Sequence, residues 1–194
     1  MGHKIDTKNS IRRRKSSAST SYCKKTKTAN RNKTDQAKKQ EKTALNTIEI
    51  NAFLGKSDNF LGTFSSDQLH KLIVKSFPCF LIVNTAPINK SFGHWIAIRI
   101  GKNSLEIFDS LGGDPKKWGT NSLELLNFLQ FYGRQKMIYV SPILQTSYSQ
   151  LCGYFAVYFI LARKFLSFSQ ILEPFSSDLL LNDSIICDLL STVF

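Results

Sequence analysis

Three residues that are far apart in the chain have side chains that together could perform covalent catalysis. His94 opens one apolar segment, Asp109 ends the next, and Cys152 stands immediately before a long apolar run. A thiolate is a strong nucleophile, and an imidazole can accept and return its proton. A carboxylate that accepts from the second ring nitrogen fixes the tautomer of the imidazole. These residue types therefore indicate a Cys–His–Asp site with a thiolate nucleophile.

The sequence around Cys152 favours this chemistry. The apolar run predicts a buried helix, and the first turn of a helix carries a partial positive charge that stabilises a thiolate. Gly153 allows the backbone to approach closely just past the nucleophile. Gln145, seven residues before the cysteine, is placed to donate to a developing oxyanion, together with the backbone N–H of Cys152.

Each of these residues also has a purely structural interpretation. A lone cysteine before an apolar helix is usually a small core residue, and a His-Trp pair in a strand is usually packing. An aspartate after a strand is usually a turn former. All four residues occur in the order His94, Asp109, Gln145 and Cys152, and this combination favours a site over four independent structural roles.

The predicted secondary structure brings the histidine and the aspartate together. Residues 94–100 (HWIAIRI) and 104–109 (SLEIFD) flank a short turn and predict an antiparallel hairpin. Strands are also predicted at 80–84 and 136–141, and helices at 66–75, 121–131, 152–165 and 179–190, with Leu69, Leu72 and Ile73 on the apolar face of the first helix. Because strands and helices do not strictly alternate, the predicted fold class is α+β.

The positive charge is concentrated in the first part of the chain. Residues 1–45 contain 14 Lys and Arg against 3 Asp and Glu, a net charge of +11, whereas residues 46–194 contain 12 against 11, a net charge of +1. The first segment has little to bury and is expected to be a disordered basic tail, while the second is long enough for one domain. Such a tail suits nuclear import or DNA binding, and a solubilising tail that binds polyanions weakly is the alternative. The candidate DNA contacts are Arg12, Arg13, Arg14, Lys15, Lys24, Lys25 and Lys27.

Composition argues against several other classes of protein. No apolar run is long enough to span a bilayer, so we expect no membrane association. The four cysteines are scattered and form no C-x-x-C pair, which argues against a disulfide scaffold and a zinc site. We therefore expect no metal and a reducing, intracellular location.

The candidate residues stand in motifs that resemble the adenovirus-type maturation cysteine proteases (adenain-like). This family lies in the Ulp/adenain clan, which includes Polinton/Maverick and related DNA-virus proteases. The resemblance covers about residues 58–165, and it is carried by FLGTF at 60–64, His94-Trp95, Asp109-Ser110-Leu111, Gln145 and Cys152-Gly153.

The resemblance implies a papain-like cysteine protease fold in circularly permuted order, with a central mixed or antiparallel sheet flanked by helices. It implies that His94 is the general base and acid, Asp109 the orienting carboxylate, Gln145 the oxyanion donor and Cys152 the nucleophile. Gln150 is a rival oxyanion donor, although the family spacing favours Gln145. The implied function is a cysteine endopeptidase that cleaves viral capsid and core precursors during virion maturation, in the virion and the host nucleus.

Departures from the family pattern leave alternatives open. The sequence requires no cofactor, but some family members use DNA as an activator, and here the basic tail could supply the DNA affinity. The adenoviral enzyme also bonds a peptide through a cysteine, and Arg134 stands near that position here. Asp109 replaces a glutamate, and Asp109-Ser110-Leu111 resembles the Ulp branch, so a protease that processes a ubiquitin-like modifier is the first alternative. A basic DNA-binding virion core protein with a relict protease fold is the second.

Overall fold

The computed structural model describes residues 43–90, 93–118 and 122–191. Its strands are β1 (Phe60–Ser65), β2 (Cys79–Asn84), β3 (Trp95–Ile100), β4 (Leu105–Phe108) and β5 (Met137–Val140). Its helices are α1 (Thr47–Leu54), α2 (Pro115–Trp118), α3 (Leu123–Gly133), α4 (Cys152–Arg163), α5 (Phe168–Leu172) and α6 (Leu179–Ser191), with a 3-10 helix at Ser66–Lys71. Residues 1–42 of the predicted basic tail, and with them all seven candidate DNA contacts, lie outside the described residues.

The five strands form one mixed sheet in the order β1-β2-β3-β4-β5. The central strands β2, β3 and β4 are antiparallel, while β1 pairs with β2 and β5 pairs with β4 in parallel. Helices flank this sheet. The predicted α+β class with a central mixed sheet is therefore confirmed.

The predicted hairpin is formed by β3 and β4. Ala97 pairs with Phe108 and Ile100 pairs with Leu105, so the start of β3 and the end of β4 lie at the same edge of the sheet. His94 immediately precedes β3, and Asp109 immediately follows β4. The hairpin register therefore places these two residues side by side.

Both faces of the sheet are covered. Alternate residues of β2 contribute to two separate core clusters: Phe80 and Ile82 belong to the cluster that contains α4, while Leu81 and Val83 belong to the cluster that contains α3. Successive side chains of a strand point to opposite faces, so a strand that is covered on both sides has a continuous apolar sequence. This arrangement explains why the sequence FLIVN shows no alternation.

Helix α4 is fixed to the sheet at its middle and at its C-terminal end. The ring of Phe159 stacks on Phe108 of β4, with centroids 4.7 Å apart. Further along, the Nε of Arg163 donates to Oε2 of Glu106 at 2.9 Å, and Arg99 of β3 donates to Oε1 of the same carboxylate at 2.7 Å. Glu106 is buried, so its charge needs both partners. These contacts set the position of α4 relative to the hairpin.

The structure differs from the sequence-based predictions in several elements. An α-helix is predicted at 66–75, but the structure has a 3-10 helix that ends at Lys71. It ends there because Leu72 adopts an extended conformation, and 3-10 helices are usually this short. As a result Ile73, predicted on the apolar face, is 75 % exposed. Four elements, α1, β1, α2 and α5, are absent from the predictions. None of the described helices has the length and hydropathy needed to cross a bilayer.

Candidate active site

A hydrogen bond between His94 and Asp109 lies at the centre of the candidate site. Nε2 of the ring lies 2.5 Å from Oδ1 of the carboxylate, whose side chain is fully buried. Two backbone N–H groups complete its shell: Leu111 donates to Oδ1 at 2.8 Å and Gly113 donates to Oδ2 at 2.9 Å. A Cβ on Gly113 would lie 2.5 Å from Oδ2, so only glycine allows this approach. The carboxylate is thus held in one orientation behind the imidazole.

The backbone of His94 is fixed by the end of β2. Its N–H donates to the hydroxyl of Thr85 at 3.3 Å, and its carbonyl accepts from the N–H of Thr85 at 2.9 Å. These two bonds continue the β2–β3 pairing past Trp95. With its backbone fixed, His94 can move only by rotation of its side chain, and the hydrogen bond to Asp109 restrains that rotation.

Cys152 also interacts with the imidazole. It is the first residue of α4, it is half-buried, and its side chain is hydrogen-bonded to His94. Because Asp109 contacts Nε2, Nδ1 is the ring nitrogen left for the sulfur. A thiol, an imidazole and a buried carboxylate are therefore connected in series, which is the arrangement of a cysteine-dependent catalytic triad.

The surroundings of His94 raise its pKa from 6.5 to about 9. Burial lowers this pKa, because it disfavours the charged ring. The hydrogen bonds to Asp109 and Cys152, and the electrostatic interactions with these two groups, together raise it by more than burial lowers it. The ring is consequently an imidazolium at neutral pH, and it presents its positive charge to the sulfur.

Gln145 is buried beneath the loop that leads into α4, with 1 % of its surface exposed. Its Nε2 donates to the carbonyl of Ser149 at 3.0 Å, and its Oε1 accepts from the hydroxyl of Ser110 at 2.6 Å. An amide NH₂ group has two donor hydrogens, and Ser149 takes one of them. Gln150, the rival donor, is exposed on the same loop.

Trp95 and Gly153 adjoin the triad from the strand and the helix. The indole N–H of Trp95 donates to the carbonyl of Leu45 at 2.9 Å. A Cβ on Gly153 would lie 3.0 Å from Cβ of Leu45 and 3.4 Å from Cδ1 of Trp95. The sequence pattern does not indicate this contact of Leu45, because it links residues 50 positions apart.

Two serines near Gln145 are also missed by sequence reasoning as parts of the site. Ser110 was visible as the residue after Asp109, but the only role that the resemblance suggested for it concerned the type of substrate. Nothing in the sequence marks Ser149.

Among the described residues, no group of three or more histidine, cysteine or acidic side chains is placed to hold a metal ion.

No family model matches the chain, and no curated protein matches it. Among solved structures it is similar to the pS273R protease of ASFV, with a TM-score of 0.46, 18 % identity, and coverage of 74 % of this chain and 67 % of that one. It is also similar to ChlaDub1 from Chlamydia trachomatis, with a TM-score of 0.41 and 14 % identity, covering 59 % of this chain and 58 % of that one. The chain thus spans less than two thirds of ChlaDub1.

Proposed function

We propose that the chain is a cysteine endopeptidase that cleaves viral capsid and core precursors during virion maturation. The single observation that supports the chemistry is the connected series Cys152–His94–Asp109, in which a buried carboxylate and a thiol contact the same ring. The substrate class is supported by the order and motifs of the site residues, which resemble the adenovirus-type maturation proteases.

In the proposed mechanism, Cys152 and His94 react as a thiolate–imidazolium pair, and the thiolate attacks the carbonyl carbon of the scissile peptide bond. The carbonyl oxygen becomes an oxyanion. The second hydrogen of the Gln145 amide and the backbone N–H of Cys152 stabilise it, since the first N–H of a helix has no acceptor within that helix.

Collapse of this intermediate breaks the C–N bond, and the His94 imidazolium gives its proton to the leaving amine. The acyl group remains on Cys152 as a thioester. His94 then takes a proton from water, and the hydroxide attacks the thioester carbon. Thiolate is expelled, and the new carboxyl product leaves. Asp109 holds the ring in one tautomer throughout and stabilises its charged form.

The direct test uses particle proteins encoded by the same genome. Full-length chain is mixed with the unprocessed proteins, and new N-termini are identified by mass spectrometry. We expect Cys152→Ala to yield none of the products. Cys187→Ala, the same change at another half-buried cysteine, should retain activity within a few-fold of the wild-type rate. Identical products from wild type and Cys152→Ala would remove the thiol from the mechanism.

Processing of a ubiquitin-like modifier is the alternative with the same chemistry. It was motivated by the Asp109-Ser110 pair. The Ser110 hydroxyl is buried and donates to Gln145, so an internal contact accounts for this serine without a modifier. A ubiquitin-like protein that ends in a glycine aldehyde distinguishes the two substrates: modification of Cys152 by this probe would favour the modifier, and absence of modification favours the maturation substrate.

We further propose that the basic residues at positions 12–15 and 24–27 bind DNA, and that this binding retains the enzyme in the nascent particle and the nucleus. Replacement of all seven by glutamine should weaken DNA binding and flatten its dependence on salt, because each neutralised phosphate contributes about −0.9 to the slope of log K against log salt. Cleavage of a free peptide should be unchanged by these replacements. Equal DNA affinity of the two forms would exclude these seven residues as the DNA contacts. A chain that binds DNA, but in which Cys152→Ala has no effect on processing, would favour the virion core protein.

A further inference from the structure

Ser110 makes three hydrogen bonds to the segment that carries Gln145. Its hydroxyl donates to Oε1 of Gln145 at 2.6 Å. Its carbonyl accepts from the N–H of Leu144 at 2.9 Å and from the N–H of Gln145 at 3.3 Å. Both Ser110 and Gln145 have 1 % of their surface exposed, so bulk water does not compete with these bonds.

The oxygen and the NH₂ group of a glutamine amide have nearly the same shape, so their hydrogen-bond partners decide which of the two positions each one occupies. The carbonyl of Ser149 can only accept, so it requires Nε2. The hydroxyl of Ser110 donates, and it satisfies Oε1 on the opposite side. Together they fix one orientation, in which the second Nε2 hydrogen stays available to a third acceptor.

The backbone on each side of Gln145 is held independently of the Ser110 hydroxyl. Nδ2 of Asn182 donates to the carbonyl of Leu144 at 3.0 Å, and the hydroxyl of Thr146 donates to Oδ2 of Asp183 at 3.1 Å. Both partners belong to α6. Removal of the Ser110 hydroxyl therefore takes away one of the two hydrogen bonds that hold the amide of Gln145, while the loop keeps its position.

We infer that Ser110 is a positioning residue for catalysis, and that its hydroxyl aims the amide of Gln145 at the oxyanion. This inference deepens the proposed protease function and rests on it. The adjacent residue, Asp109, orients the imidazole, so two successive residues at the end of β4 align the two halves of the site.

Two reagents separate oxyanion stabilisation from the reactivity of the thiol. A peptide aldehyde that ends in glycinal adds to Cys152: a C–S bond forms, the C=O π bond breaks, and the oxygen occupies the oxyanion position. Iodoacetamide alkylates the same sulfur with loss of iodide, and this reaction develops no oxyanion. A residue that acts only through Gln145 should affect the first reaction and spare the second.

We expect Ser110→Ala to weaken the affinity for the aldehyde and to lower kcat by about 10- to 100-fold, with KM nearly unchanged. Alkylation of Cys152, followed by mass spectrometry, should change by less than about twofold. In a Gln145→Ala background, Ser110→Ala should have no further effect on aldehyde affinity, because the two residues act as one unit. The matched control is Ser66→Ala, a buried serine whose hydroxyl has no hydrogen-bond partner among the described residues; this variant should behave like wild type.

Three results would overturn the inference. They are unchanged aldehyde affinity in Ser110→Ala, a parallel loss of alkylation, and loss of the folded state, which would assign the hydroxyl to stability. A wild-type chain that neither cleaves precursors nor binds the aldehyde would instead refute the proposed protease function, and with it the role of Ser110. The wild-type measurement therefore separates the two failures.

Discussion

Replacement of Asp109 by asparagine removes the negative charge behind the imidazole of His94 and nearly preserves the shape of the side chain. The wild-type carboxylate accepts three hydrogen bonds, from His94, Leu111 and Gly113. An asparagine offers one oxygen and one NH₂ group, so its NH₂ faces the N–H of Gly113 in one orientation, and His94 and the N–H of Leu111 in the other. We expect this mismatch to lower the free energy of unfolding by about 1–3 kcal/mol.

The larger effect concerns the charge of the ring. A pKa of about 9 instead of 6.5 means that the site of His94 favours the imidazolium by about 3 kcal/mol. Burial opposes this charge and persists in the variant, while the hydrogen bond and the charge of Asp109 are lost. The contact with Cys152 remains. We therefore expect Asp109→Asn to lower the pKa of His94 by about 1–3 units.

This pKa can be measured by NMR titration of the histidine rings. The chain has three histidines, and single replacements of the other two, His3 and His70, assign the signal of His94. The matched control is Asp58→Asn, the same change at an exposed position, which should leave the titration of His94 at about pH 9. If His94 in Asp109→Asn still titrates near pH 9, the carboxylate is not the source of the raised pKa, and the electrostatic account of the site is wrong.

Three further outcomes follow from the contacts described above. Because the pKa of His94 is raised in the folded state, its contribution to stability is complete below pH 6.5 and is lost as the pH rises to about 9. Chemical denaturation should therefore show that the wild type loses up to about 3 kcal/mol of unfolding free energy over this pH range, and that Asp109→Asn loses less. Glu106→Gln leaves two arginines without their buried carboxylate and should cost about 3–5 kcal/mol in the same experiment; an equal loss in the exposed Glu124→Gln would contradict this assignment. Gly153→Ala forces a methyl group against Leu45 and Trp95 and should cost about 1–3 kcal/mol, and an unchanged unfolding midpoint would show that Leu45 moves away freely.

Elements with a clear apolar pattern, either continuous or periodic, are the ones that can be predicted. The strands at β2, β3, β4 and β5 and the helices α3, α4 and α6 agree with their predicted positions to within a few residues. The missed helix α1 did carry a signal: Asn46 and Glu49 form a capping box, in which each side chain accepts from the other residue's backbone N–H. Strand β1 carried none, because its residues are all half-buried and its Gly62 has a φ of 126°.

In the candidate site, too, contacts within a local element could be predicted from the local pattern, and contacts between distant segments could not. His94 and Asp109 are brought together by a local hairpin, which the sequence pattern predicts. The contact of Cys152 with His94 depends on how α4 packs across the sheet; the residue types and the resemblance predict it, but no local element places the two residues together. The bond between Ser110 and Gln145 joins residues 35 positions apart, and it exists because Leu111 forms a bridge with Ile143 in the finished fold. No periodicity within a single segment can indicate such a contact.

A small change in the direction of α4 becomes a larger displacement at Cys152, because one attachment of the helix to the sheet lies at its opposite end. Twelve residues of α-helix extend about 18 Å, and the ion pair of Arg163 with Glu106 lies at the end opposite the sulfur. A tilt of about 5° around that anchor would swing Cys152 by about 1.5 Å, enough to break its contact with His94. Since displacements near 1 Å can slow a reaction about 100-fold, a cavity created under Phe159 should reduce turnover while most of the protein remains folded. The reaction rate should therefore report how well the side chains around Phe159 are packed.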